Sequence, residues 1–190
     1  MIFLGAINHT ELGNQYGDHH YWSSSLLLMA ISSLGFIGAG FAPFFFLSLG
    51  NTALIFSSLA TLLFIKSWDS NHPKIQPRYF WFAFLAFLIA YEFLRIYASF
   101  NTRVYLVSGA LAIISLLAFV ELFLIPKSEQ TKQYSVLKFA FFIHLVMIAL
   151  RVFGITLGLG SSLTIATIYQ ESAITGMLRS LGVASYLLVY

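Results

Sequence analysis

Long apolar stretches follow one another along almost the whole chain, separated by short polar segments. Each has the roughly 20 apolar residues that a helix needs to cross the hydrocarbon core of a bilayer. None shows the alternation of a barrel strand, and backbone groups in lipid must bond to one another. We therefore predict an all-α polytopic transmembrane helix bundle. Residues 1–190 form one domain with six spans at about 22–41, 44–65, 79–98, 104–125, 139–157 and 172–190.

The polar segments between the spans carry their basic residues on one side. Two loops, at about 66–78 and 126–138, contain six of the ten Lys and Arg residues of the chain. The loops on the other side contain one, Arg103. Because Lys and Arg in loops set the orientation of a membrane protein, the two basic loops are predicted to be cytoplasmic. With six spans, both chain ends are then cytoplasmic too.

Composition supports the same class of protein. Hydrophobic residues make up 59% of the chain and charged residues 9%, against about 25% charged residues in a soluble domain. The net charge is +3, but most of the basic residues flank spans, so the bilayer and not nucleic acid is the expected partner. The absence of cysteine excludes disulfides and thiolate metal sites. No recognisable catalytic motif appears, so we expect no enzymatic activity in this chain and no cofactor.

Charged residues inside spans are costly and usually face a bundle interior or a cavity. At 1.5 Å per residue and with the predicted orientation, several polar residues lie in one layer toward the outer side. Glu92 and Arg95 are three residues apart in the third span and are expected to pair directly. The six candidate ligand-binding residues of this layer are Asn51, Glu92, Arg95, Arg151, Glu171 and Arg179.

Two interpretations of this outer layer stay open. In the first, the residues line a cavity open to the outside, and its three arginines favour a small anionic or carboxylate-bearing ligand. In the second, they form interhelical ion pairs and hydrogen bonds that fix the order of the helices. Glu121 lies at the inner end of its span and is expected to reach the interface or pair with Lys127.

The histidines and glycines favour structural roles. His144 lies two turns before Arg151 and is expected to be a packing residue, and the adjacent His19 and His20 are weak evidence for a metal, so none is expected. The glycine group around Gly35, Gly38 and Gly40, and the pair Gly154 and Gly158, have small-residue spacings that permit close helix approach.

Five short segments together resemble a known arrangement. They are Tyr21-Trp22, Leu49-Gly50-Asn51, Phe64-Ile65-Lys66-Ser67-Trp68, the run from Tyr97 through Arg103 to Ser108, and Ala149-Leu150-Arg151. In this order they are similar to the multi-span membrane sensor region that precedes the catalytic domain of bacterial GGDEF diguanylate cyclases. The resemblance covers about residues 16–190 as spans two to seven of a seven-span region, with residues 1–7 as a remnant of the first.

The chain departs from that pattern in two ways. Its N-terminal segment has Glu11 and Asp18 where the sensor regions carry basic residues, and it contains no GGDEF catalytic domain. The resemblance implies a signal input module in the bacterial cytoplasmic (inner) membrane, homodimeric by analogy, whose gene continues past Tyr190 into an output domain. The alternatives are the sensor region of a histidine kinase and a small membrane transporter, for which inverted repeats and broken helices are expected.

Overall fold

Five α-helices make up the part of the chain that the computed structural model describes, residues 19–39, 41, 43–67, 77–124 and 132–157. These residues contain no strand, in agreement with the predicted all-α class. Each helix overlaps one of the first five predicted spans, and each is long and apolar enough to cross a membrane. The sixth predicted span, 172–190, lies outside the described residues. The helices are α1 (His19–Gly38), α2 (Pro43–Lys66), α3 (Pro77–Tyr97), α4 (Phe100–Leu124) and α5 (Lys132–Thr156).

The helix starts follow from local chemistry. Pro43 and Pro77 are the first residues of α2 and α3, where proline is favoured because its missing N–H would have no partner inside the helix. Ser99 precedes α4, and its Oγ accepts a hydrogen bond of 3.2 Å from the backbone N–H of Thr102. That is the geometry of an N-cap, which satisfies one of the unpaired donors at a helix start. The connection between α3 and α4 is only two residues long.

The chain divides into two compact units, Met1–Arg103 and Val104–Tyr190. In the first unit, α2 packs against α1 and against α3. Most of α2 is buried, whereas most of α3 is exposed. The exposed residues of α3 are large and apolar, as a lipid-facing surface requires. They include Phe82, Leu85, Ile89, Phe93 and Ile96.

Backbone contact between α1 and α2 occurs at two glycines. A Cβ atom at Gly35 would lie 2.8 Å from the Cα of Gly50 and 3.0 Å from the carbonyl oxygen of Phe46, and a Cβ at Gly38 would meet the Phe46 ring. The predicted close approach is confirmed for Gly35 and Gly38. At Gly154 a Cβ would meet no atom of the described residues within 4 Å, and Gly40 and Gly158 lie outside those residues.

Hydroxyl groups join the same two helices at buried positions. The Oγ of Ser25 donates to the carbonyl oxygen of Ser57 at 3.0 Å, and the Oγ of Ser57 donates to the carbonyl oxygen of Ser25 at 2.9 Å. Thr61 Oγ1 lies 2.8 Å from Ser25 Oγ. Nearer the C-terminal end of α1, Ser32 Oγ donates to the carbonyl oxygen of Gly50 on α2 at 2.9 Å. Such bonds replace the hydrophobic driving force that lipid removes from helix association.

Replacing Ser25 with alanine tests this network. We expect Ser25→Ala to lower the free energy of unfolding by about 1 kcal/mol, since interhelical hydrogen bonds in membranes contribute about 0.6 and at most about 1.7 kcal/mol. Ser33→Ala is the matched control, because Ser33 Oγ donates within α1 to the carbonyl oxygen of Met29 at 3.0 Å. Reversible unfolding by SDS in mixed micelles measures both. Equal stability of the two variants would show that the Ser25 bonds contribute nothing.

Aromatic rings fill the contact between α2 and α3. The buried ring of Phe56 lies 5.5 Å from that of Phe80, 5.4 Å from that of Phe84 and 5.7 Å from that of Phe87, between ring centroids. The first two pairs are edge-to-face, the arrangement that the ring quadrupoles favour. Tyr21 of α1 is buried in the core of the same unit, at 5% exposure.

In the second unit, contacts at both ends define the relation of α4 to α5. The hydroxyl of Tyr105 lies 3.3 Å from Thr156 Oγ1. Near the other end of α4, the Nζ of Lys138 lies 4.4 Å from the centroid of the Phe123 ring, a cation–π contact. The start of α4 therefore lies beside the end of α5, and the two helices are antiparallel.

Candidate functional site

The predicted ion pair on α3 is present. The Nε of Arg95 donates to Oε1 of Glu92 at 2.9 Å, and Nη2 of Arg95 donates to the same oxygen at 2.5 Å. Both side chains are half-buried. One turn of helix brings the two residues onto the same face, so the pair requires no distortion of the backbone. The predicted direct pairing of Glu92 with Arg95 is therefore confirmed.

Ser48 connects this ion pair to the neighbouring helix. Its hydroxyl lies on α2, is 1% exposed, and donates to Oε2 of Glu92. Each carboxylate oxygen of Glu92 thus accepts from a different helix, Oε1 from Arg95 on α3 and Oε2 from Ser48 on α2. We call these three residues the clasp, because they join α2 to α3 by charge-assisted hydrogen bonds.

Arg103 adds a second positive charge near the clasp. It lies in the first turn of α4, within the first unit, and its charge acts on the Glu92 carboxylate. The sequence places Arg103 at the outer surface, and it was not among the six candidate residues. Two arginines and one glutamate give this group a net charge of +1. An anionic group that approaches it would therefore compete with Glu92 for the guanidinium donors.

The other four candidates are placed as follows, as far as the structure describes them. Asn51 lies on α2, where its Nδ2 donates to the carbonyl oxygen of Leu47 at 2.9 Å. Arg151 is half-buried on α5, in the second unit. Glu171 and Arg179 lie outside the described residues. The structure thus brings together Glu92 and Arg95 and adds Ser48 to them, and the wider six-residue site stays a prediction.

The sequence places Ser48 at a suitable depth but does not single it out. It is a hydroxyl residue one turn before Asn51, in an apolar run predicted to reach the same depth as Glu92. Hydroxyls are common in membrane helices and mostly bond within their own helix. Ser58 illustrates this, since its Oγ donates to the carbonyl oxygen of Leu54 at 2.9 Å. Only the packing of α2 against α3 distinguishes Ser48 from it.

Metal ligands are not grouped in the described part of the chain. Within residues 19–39, 41, 43–67, 77–124 and 132–157, no three His, Asp or Glu side chains lie close enough together to hold a metal ion. His20 is exposed at the start of α1, and His144 is 5% exposed in α5.

Comparison with known proteins adds no family to this description. No protein-family model, no curated protein and no solved structure matches the chain. The resemblance to the sensor regions of GGDEF cyclases accordingly stays a prediction from the sequence. The interpretation of function depends on the helices and on the clasp.

Proposed function

We propose that the chain is a membrane-embedded sensor, or signal input module, for an extracytoplasmic or outer-leaflet signal. It couples that signal to a cytoplasmic output domain, which the sequence resemblance suggests is a diguanylate cyclase. The clasp is the observation that supports this proposal most directly. It is a polar, exchangeable contact at one end of α3, in the layer that the charge distribution predicts to be outer.

The clasp can transmit a signal because of how α3 is held. At one end α3 is joined to α2 by the clasp, and toward its other end by the packing of Phe56 against Phe80 and Phe84. The remainder of α3 is largely exposed. Breaking the clasp frees one end of a rigid helix while the aromatic contact holds the other. The expected motion is a pivot of α3, a small shift of the kind that switches signalling proteins between two states.

An anionic or carboxylate-bearing signal fits this arrangement. Such a group would take guanidinium donors from Arg95 and leave the Glu92–Ser48 bond weaker. A signal can shift the equilibrium between the closed and the broken clasp only by the difference in its affinity for these two states. The difference arises because Glu92 occupies guanidinium donors of Arg95 while the clasp is closed, whereas those donors are open to an anion once it is broken.

The test is a fusion of the full chain to a diguanylate cyclase catalytic domain, with the nucleotide product measured in cells. We expect Ser48→Ala, which removes the α2 donor and keeps the ion pair, to change output at least about fivefold, the lower end of typical coupling energies. Ser33→Ala is the control, because its hydroxyl bonds only within α1. Equal output from both variants at equal protein levels would contradict the proposal. Uptake of a labelled carboxylate into vesicles, with no effect on output, would favour a transporter.

A further inference from the structure

One buried hydroxyl of α2 has no hydrogen bond. Thr52 is 0% exposed, and in the part of the chain that the structure describes its Oγ1 has no hydrogen-bond partner. The other four hydroxyl side chains of α2 all donate, and Thr61, for example, donates to the carbonyl oxygen of Ser57 at 3.0 Å. Leaving a buried hydroxyl unpaired lowers a folding equilibrium constant by a factor of roughly 5 to 150. Thr52 therefore indicates a partner that the closed clasp does not supply.

Thr52 lies on the face of α2 that packs against α3. It is four residues after Ser48 and four residues before Phe56. The three side chains therefore follow one another along one side of the helix at intervals of about 6 Å. Ser48 donates to Glu92 of α3, and the ring of Phe56 contacts that of Phe84 on the same helix. Since the residues before and after Thr52 both contact α3, the side chain of Thr52 faces α3 as well.

The residue of α3 opposite Thr52 is apolar. The two contacts run in opposite directions along the two helices, so α2 and α3 are antiparallel. The register that they define places Leu88 opposite Thr52, and a leucine side chain has no hydrogen-bonding atom. Among the described residues of the first unit, Glu92 carries the only carboxyl group, and it lies one helical turn from this level. Glu92 is therefore the acceptor that Thr52 can reach by a small rearrangement.

The direction of the Glu92 side chain favours that rearrangement. Side chains on a helix lean toward its N-terminus, and the N-terminal part of α3 is the part that contacts Phe56. The bond to Arg95, three residues C-terminal of Glu92, holds the carboxylate in the opposite direction. Once Arg95 is engaged by another group, the carboxyl group can take the preferred direction. That movement carries it along α2 from Ser48 to Thr52.

We infer that Thr52 is a second hydrogen-bond donor for Glu92, which takes the carboxyl group when an anion occupies Arg95. The inference rests on the proposed function for the identity of the trigger. The broken clasp then has a defined arrangement of its own, with Glu92 bound one turn farther along α2. Two discrete positions about 6 Å apart provide the two states that a switch between packed helices requires.

Thr52→Val tests the inference, because it removes the hydroxyl and keeps the size of the side chain. In the otherwise unchanged full chain, we expect it to raise the folding equilibrium constant by up to about fivefold in SDS unfolding, since an unpaired hydroxyl is lost. In a chain that carries Arg95→Leu, no guanidinium holds Glu92. There the same substitution should lower the constant about threefold or more, the scale of an interhelical hydrogen bond in a membrane. The effect of Thr52→Val thus reverses its sign between the two backgrounds.

Two control variants distinguish a hydrogen bond from a change in packing. Thr52→Ser keeps the hydroxyl, so in the Arg95→Leu background it should retain the stability that Thr52→Val loses. Ser58→Ala removes a hydroxyl that donates within α2 to the carbonyl oxygen of Leu54 at 2.9 Å, so its effect should be equal in both backgrounds. Should Arg95→Leu fail to fold, Glu92→Gln replaces it as the background. Its neutral carboxamide binds Arg95 more weakly and can still accept from Thr52, so the same reversal is expected.

An equal effect of Thr52→Val in both backgrounds would overturn the inference. A loss of stability on Thr52→Val in the otherwise unchanged chain would overturn it too, because the hydroxyl would then already have a partner, such as ordered water, while the clasp is closed. These measurements use neither an output domain nor a signal, so they do not depend on the sensor role. A reversed sign together with unchanged output of the cyclase fusion would contradict the proposed function and support the second position of Glu92.

Discussion

Gly35→Ala is expected to destabilise the chain by about 2–3 kcal/mol, the upper part of the range for inserting a methyl group into a well-packed site. The added Cβ would lie 2.8 Å from the Cα and 2.9 Å from the N of Gly50, and 3.0 Å from the carbonyl oxygen of Phe46. All three atoms belong to the backbone of α2, so no side chain can rotate away. The helices must separate, which also lengthens the bond from Ser32 to Gly50.

Two further glycines make this prediction quantitative. At Gly50 the nearest atoms are those of the Phe36 ring, at 3.2 Å and beyond, so Gly50→Ala should cost less than Gly35→Ala because a ring can move. At Gly109 on α4 a Cβ would meet no atom of the described residues within 4 Å. Gly109→Ala should then be neutral or stabilising by up to about 1 kcal/mol, the usual preference for alanine in a helix. SDS unfolding of the three variants should give this order, and Gly35→Ala as stable as Gly109→Ala would contradict the close contact.

Local patterns in the sequence are sufficient to predict the helices. Span length fixes their number within the described residues, and Pro43, Pro77 and Ser99 mark three of their starts. The Glu92–Arg95 pair is equally local, because a spacing of three residues on a helix brings two side chains together in any fold. These features need no knowledge of which helices are neighbours, and they are the ones that the sequence predicts correctly.

Contacts between helices are less accessible to sequence analysis. A shared depth is the basis for grouping Arg151 with Glu92, but depth restricts only one of three dimensions. The two residues lie in different units, so this grouping stays a prediction. The small-residue spacing at Gly154 has the same limit, because it permits close helix approach without specifying the neighbour. Ser48 is a contact that the sequence does not single out. It differs from the other helix hydroxyls only in its position on α2 facing Glu92.

Removing the Glu92 carboxylate is the second change with a large expected effect. Glu92→Leu takes away both the partner of Arg95 and the acceptor of the buried Ser48 hydroxyl. Breaking a buried pair on one side costs about 3–5 kcal/mol. Because both side chains are only half-buried, and Arg95 lies near the end of α3 where a long side chain can reach the interface, we expect about 2 kcal/mol here.

A double variant distinguishes the interaction energy of the Glu92–Arg95 pair from the cost of leaving one of its charges unpaired. Glu92→Leu with Arg95→Leu should recover most of the stability that Glu92→Leu alone loses, because leucine suits lipid and no unpaired charge remains. The coupling energy from the full cycle should be about 1–2 kcal/mol in SDS unfolding, as for side chains in direct contact. Additive effects would show that the two side chains do not interact. A double variant that recovers stability but not output in the cyclase fusion would mean that the clasp serves signalling and not folding. A pair of leucines can replace the contribution of the ion pair to packing, but it cannot exchange partners with an anion.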